Sequence, residues 1–198
     1  MRTATEPERL GIFGGTFDPV HIGHLVAALE ARHQLALDRV LFVVAREPWQ
    51  KHGTVVAPAE ARFAMVQAAV AGVEGFEAST IELTRGGPSF TIDTVEQLAA
   101  DDRHLFLIVG TDAAAGLDTW ERAADLRRAV TIAVMDRATD IAPAPLPGWD
   151  HRFVSMPRID VSSTAIRERI AVGGPIEILV PDAAIRVIRE RHLYTPAG

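Results

Sequence analysis

GIFGGTFDPVHIGH, residues 11–24, carries an apolar run into two glycines, a Thr-Phe-Asp-Pro turn and two histidines three residues apart. The run before it, RLGIFGG, has the continuous apolar character of a buried strand, and HIGHLVAALEARHQL after it has helical periodicity. A buried strand, a glycine turn and a helix make the first unit of an α/β sheet, and the rest of the chain repeats the alternation. RVLFVVA, HLFLIVG and AVTIAVM read as strands, and FEASTIEL reads as one or two short ones. PAEARFAMVQAAV, with Pro58 at or near its first turn, reads as a helix, as do TIDTVEQLAAD, with Asp93 in its first turn, and TWERAADLRR. Buried strands separated by helices predict a Rossmann-like, doubly wound, mostly parallel sheet with helices on both faces and right-handed crossovers. The stretch 137–150, RATDIAPAPLPGWD, has three prolines between 143 and 147 and reads as an extended, exposed loop. The segment 160–198 holds two helices, SSTAIRERIAVG and PDAAIRVIRERHLY. Residues 1–9 read as a flexible N-terminus and 1–198 as a single domain.

Composition narrows the function classes. Of 198 residues, 48% are apolar and 23% charged, which is globular rather than disordered. The absence of cysteine excludes disulfides and thiolate metal sites. The apolar runs are too short to span a bilayer and the polar N-terminus lacks a signal-peptide core, so the expectation is a cytoplasmic protein that does not engage membranes. A net charge of −6 argues against a nucleic-acid partner, so an anionic ligand would need a local cluster of donors. Oligomeric state is not legible, and a homo-oligomer stays open.

The chemistry starts at the end of the first strand. In open α/β sheets, ligands bind outside the carboxyl ends of the strands, near the point where strand order reverses. Gly14 and Gly15 would let a phosphate approach the backbone, and the helix beginning near Ile22 would offer unpaired N–H groups and its dipole. His21 and His24 share one face of that first turn and can donate to phosphate oxygens as charge develops. Neither the dinucleotide fingerprint G-x-G-x-x-G nor the P-loop pattern is present. A metal site, a simple tight turn or surface histidines are the plainer alternatives. Near the other end, Ser162 or Ser163 can cap a helix, and Arg167, three residues past Thr164, can fork onto phosphate oxygens. An ordinary Ser-capped surface helix is the competing reading.

GGTFDPVHIGH resembles the signature of the nucleotidylyltransferase superfamily, and DVSSTAIRERI, 160–170, resembles its second signature. Three further stretches are similar to those of bacterial nicotinate-nucleotide adenylyltransferases: RGGPSFTIDT at 85–94, VGTDAAAGLDTW at 109–120 and the terminal RHLY. The resemblance, from Leu10 to Tyr194, implies transfer of AMP from ATP to nicotinate mononucleotide without a covalent enzyme intermediate. The products would be nicotinate adenine dinucleotide and pyrophosphate. It implies ATP contacts at Gly14, Gly15, Thr16, Phe17, His21, His24, Gly110, Asp112, Ser162, Ser163, Thr164 and Arg167. His24 would be the main transition-state stabiliser, with His21 and Arg167 holding phosphates. For the acceptor it implies Thr16, Lys51, Phe90, Thr91, Asp112 and Trp120. Backbone N–H groups at Phe90 and Thr91 would hold the nicotinate carboxylate, Asp112 would accept from a ribose hydroxyl, and Trp120 would stack on the ring unless it is a core tryptophan. Mg²⁺ would arrive with ATP, held mainly by substrate phosphates, with no protein metal ligands. The loop REPWQKHG, 46–53, departs from the family pattern. Lys51 still supplies a cation there, Arg46 is a substitute contact, and Trp49 is unusual. Rival readings are another acceptor, such as phosphopantetheine or nicotinamide mononucleotide, a non-catalytic nucleotide-binding module, and an NAD-dependent oxidoreductase.

Overall fold

The computed structural model describes residues 6–47, 57–136 and 144–195. Its strands are β1 (Glu8–Gly15), β2 (Arg39–Val44), β3 (Phe76–Ser79), β4 (Arg103–Gly110), β5 (Thr131–Asp136) and β6 (His151–Ser155). Its helices are α1 (Ile22–Gln34), α2 (Ala59–Val70), α3 (Ile81–Arg85), α4 (Thr91–Leu98), α5 (Thr111–Ala115), α6 (Ala123–Ala129), α7 (Ser163–Ala171) and α8 (Asp182–Glu190), with a 3₁₀ turn at Leu117–Thr119. The six strands form one sheet in the order β3-β2-β1-β4-β5-β6. This is the doubly wound Rossmann-like order, reversing between β1 and β4. Among the described residues no helix is long and apolar enough to cross a membrane.

Contacts gather the chain into two compact units. The first comprises Met1–Gly14, Ala27–Leu41 and Phe90–Arg158. Here β1 runs parallel to β4, with Leu10 opposite Leu105 and Ile12 opposite Leu107, and β4 continues in parallel to β5 and β5 to β6. Leu105 through Val109 are all buried, as a strand covered on both faces requires. Each such side chain contributes about 1.5–3 kcal/mol on burial. At the amino end of the strands the Glu8 carboxylate accepts from Arg39 Nε at 2.5 Å and from Arg103 Nε at 2.7 Å. Burial alone would raise its pKa, but these two guanidinium partners hold it below the usual carboxylate value. The Gln34 amide donates to Ser155 O and accepts from Ser155 N–H, standing in for a strand against the end of β6.

The second unit comprises Gly15–Val26, Phe42–Ser89 and Ile159–Gly198. Its core forms where α2 packs on α8. Ala184, Ile185 and Ile188 supply the buried face of α8, at the spacing an amphipathic helix needs. Met65, Val66, Ala69 and Val70 supply that of α2, together with one charged residue, Arg62.

Several boundaries differ from the sequence reading. β1 begins at Glu8, within the stretch expected to be flexible, because Glu8 N–H bonds Asp102 O and its side chain is paired. FEASTIEL is one strand followed by helix α3, not two strands. The helix expected at TWERAADLRR starts later, at Ala123, after Trp120 has closed the 3₁₀ turn. Strand β6 was not anticipated: of its five residues only Val154 is buried, so it has no apolar run to announce it. The end of the proline-rich loop is docked rather than exposed. Trp149 is buried, its Nε1–H donates to Asp118 at 3.0 Å, and the Arg127 guanidinium lies 5.0 Å from its ring centre.

Candidate active site

The first motif is a turn filled from inside by its own aromatic ring. β1 ends at Gly15, whose carbonyl accepts from Ala45 N–H at 2.9 Å. Phe17 then takes a left-handed conformation, φ 51°, and folds its ring back beneath Gly15. A Cβ on Gly15 would lie 2.7 Å from that ring, so only glycine fits there without displacement. The ring is buried, tilts against Phe42 at 5.8 Å, and meets the His24 imidazole edge-on at 5.0 Å and 77°. Gly14, in the other unit, is exposed, and a Cβ there would meet nothing within 4 Å.

Below the turn lies a buried polar group that sequence reasoning missed. The peptide bond from Asp18 to Pro19 is cis. The Asp18 carboxylate, 3% exposed, accepts from Ala57 N–H at 3.1 Å and from Tyr194 Oη at 2.7 Å. Burial, and then the Asp18 charge, push the Tyr194 phenol far above its ordinary pKa. Arg62 donates to the carbonyls of Ala57, Thr16, Ala45 and Arg46. Burial lowers its pKa, and Asp18 opposes that. A signal for Arg62 existed, since it stands on the apolar face of a helix otherwise carrying Ala61, Met65 and Val66.

The two histidines are placed as their spacing implies. Their rings stack at 3.7 Å, with His21 buried and His24 half-buried. The backbone N–H of His21 donates to His24 Nδ1 at 3.2 Å. A neutral ring that accepts at Nδ1 carries its proton on Nε2, so this bond sets His24 as an Nε2–H donor. Of the N–H groups expected to be open at this helix N-terminus, two are engaged within the protein. Ile22 N–H bonds Leu179 O at 2.9 Å and His24 N–H bonds His21 O at 2.9 Å. The chain brings the carbonyl of Leu179 to the first turn of α1, and the motif closes on itself, so these donors are already engaged.

The second motif joins the first. Ser162 caps α7, its hydroxyl accepting from Ala165 N–H at 3.2 Å. Ser163 Oγ donates to Pro19 O at 2.9 Å. Arg167 donates through Nη1 to Asp18 O at 2.8 Å, and its Nη2 lies 3.4 Å from Thr164 Oγ1. Arg167 therefore ties the motifs together with one nitrogen, rather than presenting its whole fork to a ligand.

Phe90, Thr91, Gly110, Asp112 and Trp120 lie in the other unit. Gly110 is the N-cap of α5 and Asp112 is exposed in that helix's first turn. Thr111 and Asp112 line a cavity of about 400 Å³ with Leu117, Val134, Pro145 and Trp149. Phe90 is the N-cap of α4 with no side-chain cap bond, and Thr91 is its first residue. Trp120 is half-buried at the end of the 3₁₀ turn, not a core tryptophan. In the 46–53 loop, Trp49, Lys51 and His52 fall outside the described residues. Arg46 is described, and its Nη1 donates to Leu83 O at 2.8 Å. Ser89, buried, accepts from the N–H groups of both Arg46 and Glu47, a role its place in PSFT did not disclose.

Comparison with known proteins matches residues 12–169 to the family described as Cytidylyltransferase-like. A Corynebacterium kroppenstedtii protein named "Probable nicotinate-nucleotide adenylyltransferase" is 41% identical over 100% of this chain and 96% of its own. A Streptomyces coelicolor protein of the same name is 43% identical over 91% of this chain and 98% of its own. Among solved structures, Plasmodium falciparum nicotinic acid mononucleotide adenylyltransferase complexed with APC superposes with a TM-score of 0.75. It shares 15% identity and covers 94% of this chain and 97% of its own, a likeness of fold.

Proposed function

From the premise that this chain belongs to the cytidylyltransferase-like family, and within it to the nicotinate-nucleotide adenylyltransferases, we propose that it transfers AMP from ATP to nicotinate mononucleotide. The products are nicotinate adenine dinucleotide and pyrophosphate, a step in making NAD. The observation that carries the reading is the His24 imidazole, set as an Nε2–H donor by the His21 N–H and in edge-on contact with the Phe17 ring.

The acceptor phosphate attacks the α-phosphorus of ATP in line and pyrophosphate leaves. A phosphate monoester is a nucleophile at neutral pH, so the chain supplies position and charge stabilisation rather than a general base or a covalent nucleophile. In this reading His24 donates to the α-phosphoryl oxygens as their charge grows, and His21 and Arg167 hold the phosphates. Gly14 and Gly15 let the triphosphate lie against the backbone, with Thr16 and Phe17 beside it. Ser162, Ser163 and Thr164 add hydroxyls, and Gly110 and Asp112 meet the nucleotide from the end of β4. The uncapped first turn of α4, at Phe90 and Thr91, suits the nicotinate carboxylate, Trp120 suits its ring, and Lys51 adds a cation. Mg²⁺ would enter with ATP and neutralise charge on the departing pyrophosphate. Substrate phosphate oxygens would be its main ligands. We read residues 1–198 as one catalytic domain.

The test is pyrophosphate release by purified protein with ATP and Mg²⁺, offering nicotinate mononucleotide, nicotinamide mononucleotide and phosphopantetheine separately. Fast release with nicotinate mononucleotide alone is expected. Preference for another acceptor would overturn the roles of Thr91 and Trp120, and no release with any would overturn the enzymatic reading.

A further inference from the structure

We propose that Arg62, which lies outside both motifs, is a positioning residue for this site: it fixes the turn that orients His24. The kinetic arm of the argument rests on the adenylyltransferase reading, and the structural arm does not. Arg62 stands in the first turns of α2 and is 1% exposed. Its Nε donates to Ala57 O at 3.0 Å, its Nη1 to Thr16 O at 2.8 Å and Ala45 O at 2.7 Å, and its Nη2 to Arg46 O at 3.2 Å. A buried cation is a costly way to fill a helix interface, and an apolar residue of similar volume packs such a face at least as well. What an apolar residue cannot do is hold carbonyls.

The carbonyl that matters is that of Thr16. It belongs to the peptide leading into Phe17, whose left-handed φ is unfavourable for an aromatic residue and has to be held by its surroundings. A trans peptide is planar, so anchoring the Thr16 oxygen also sets the direction of the Phe17 N–H, and the φ of 51° then sets the exit of its side chain. Nη1 also takes Ala45 O, and Ala45 N–H bonds Gly15 O, so one nitrogen clamps both sides of the turn. The Phe17 ring then occupies the space that a Cβ on Gly15 would need and meets the imidazole of His24 edge-on. The contacts run unbroken from guanidinium to Thr16 peptide, to Phe17 ring, to His24. Lysine cannot substitute, because a single ammonium has no planar fork to span four carbonyls in three segments.

The test uses Arg62→Lys and Phe17→Leu in the full chain, with melts to establish folding at the assay temperature. Two readouts follow: steady-state kinetics, and nitrogen NMR of the imidazoles with His24 assigned through His24→Gln. For Arg62→Lys we expect kcat to fall about 10- to 100-fold with both KM values within about threefold, the pattern of misplaced reacting groups rather than lost ground-state binding. We also expect His24 to lose its single Nε2–H tautomer. A folded Arg62→Lys with wild-type kcat and unchanged His24 nitrogens overturns the proposal, as does a loss that only tracks the folded fraction. If Arg62→Lys does not fold, Phe17→Leu decides, since it keeps the guanidinium and removes the ring edge. The same kinetic and NMR changes support the proposal, and an undisturbed His24 breaks the chain of contacts and overturns it. If the wild type releases no pyrophosphate with any acceptor, the adenylyltransferase reading falls, while the NMR arm still reads Arg62 on its own.

Discussion

Gly15→Ala puts the construction of the first motif to a quantitative test. The new Cβ would sit 2.7 Å from Cζ of Phe17 and 2.9 Å from its Cε2, whereas ordinary contact begins near 3.4 Å. The ring must therefore retreat by about 0.7 Å or the end of β1 must lift by as much. The ring is 2% exposed, with Phe42 against it and His24 at its edge, so it has no solvent to move into. Overpacking of this kind costs about 1–3 kcal/mol. For a chain of this length each kcal/mol lowers Tm by about 2–4 °C, so the variant should melt roughly 2–12 °C below wild type. The same displacement moves the support of His24, and a shift near 1 Å can cost about 10²-fold in rate. Thermal melts and pyrophosphate release read the two effects separately. Gly14→Ala is the internal comparison, because a Cβ there meets nothing within 4 Å and should change stability by no more than about 0.5 kcal/mol. If Gly15→Ala keeps the wild-type Tm and kcat, the account of this turn as filled by its own ring is wrong.

His24→Ala should lower kcat by about 10²- to 10³-fold while the protein stays folded, as measured by initial rates and circular dichroism, and near-wild-type turnover would remove His24 from the mechanism. Tyr194 is the chain's single tyrosine, so phenolate absorbance reads it alone. Its raised folded pKa means that above about pH 10 the unfolded chain releases a proton the folded one keeps, so stability should fall by up to about 1.4 kcal/mol per pH unit. Phenolate should then appear together with unfolding, and a reversible titration near pH 10 in folded protein would contradict the buried Asp18 bond. Glu8→Gln should cost about 0.5–1 kcal/mol at pH 7, because the lowered folded pKa of Glu8 makes its contribution present above the unfolded value. That difference should vanish as pH falls below about 4.5 through the folded pKa, which denaturant titrations at several pH values would show.

What the sequence disclosed follows what local pattern can encode. β2, β4 and β5 are near-continuous apolar runs because both faces are covered, so they stood out. β6 has one buried residue, is held at its end by the Gln34 side chain, and left no pattern. In the site, the Ser162 cap and the shared face of His21 and His24 are consequences of short spacing, and both were legible. The partner of Ile22 N–H was not, because Leu179 meets it only through the fold. The same holds for Asp18 and Tyr194, which stand at opposite ends of the sequence and share a bond of 2.7 Å.

The bonds that shape the motif turn have a common form. Arg62 takes the carbonyls of Thr16, Ala45, Arg46 and Ala57, Ser163 takes that of Pro19, and Arg167 takes that of Asp18. Each acceptor is main chain, so these donors hold the course of the backbone itself. The α1 donors at Ile22 and His24 are likewise matched to carbonyls, of Leu179 and His21. An arriving triphosphate would have to break these bonds to use those two N–H groups, and each exchange of a protein carbonyl for a phosphate oxygen gains little net energy. Stabilisation of the transferring phosphoryl group is better drawn from side chains that the turn already holds in place, the Nε2–H of His24 foremost. A donor fixed before substrate arrives needs no reorganisation during the reaction, which is where such a site would gain over water.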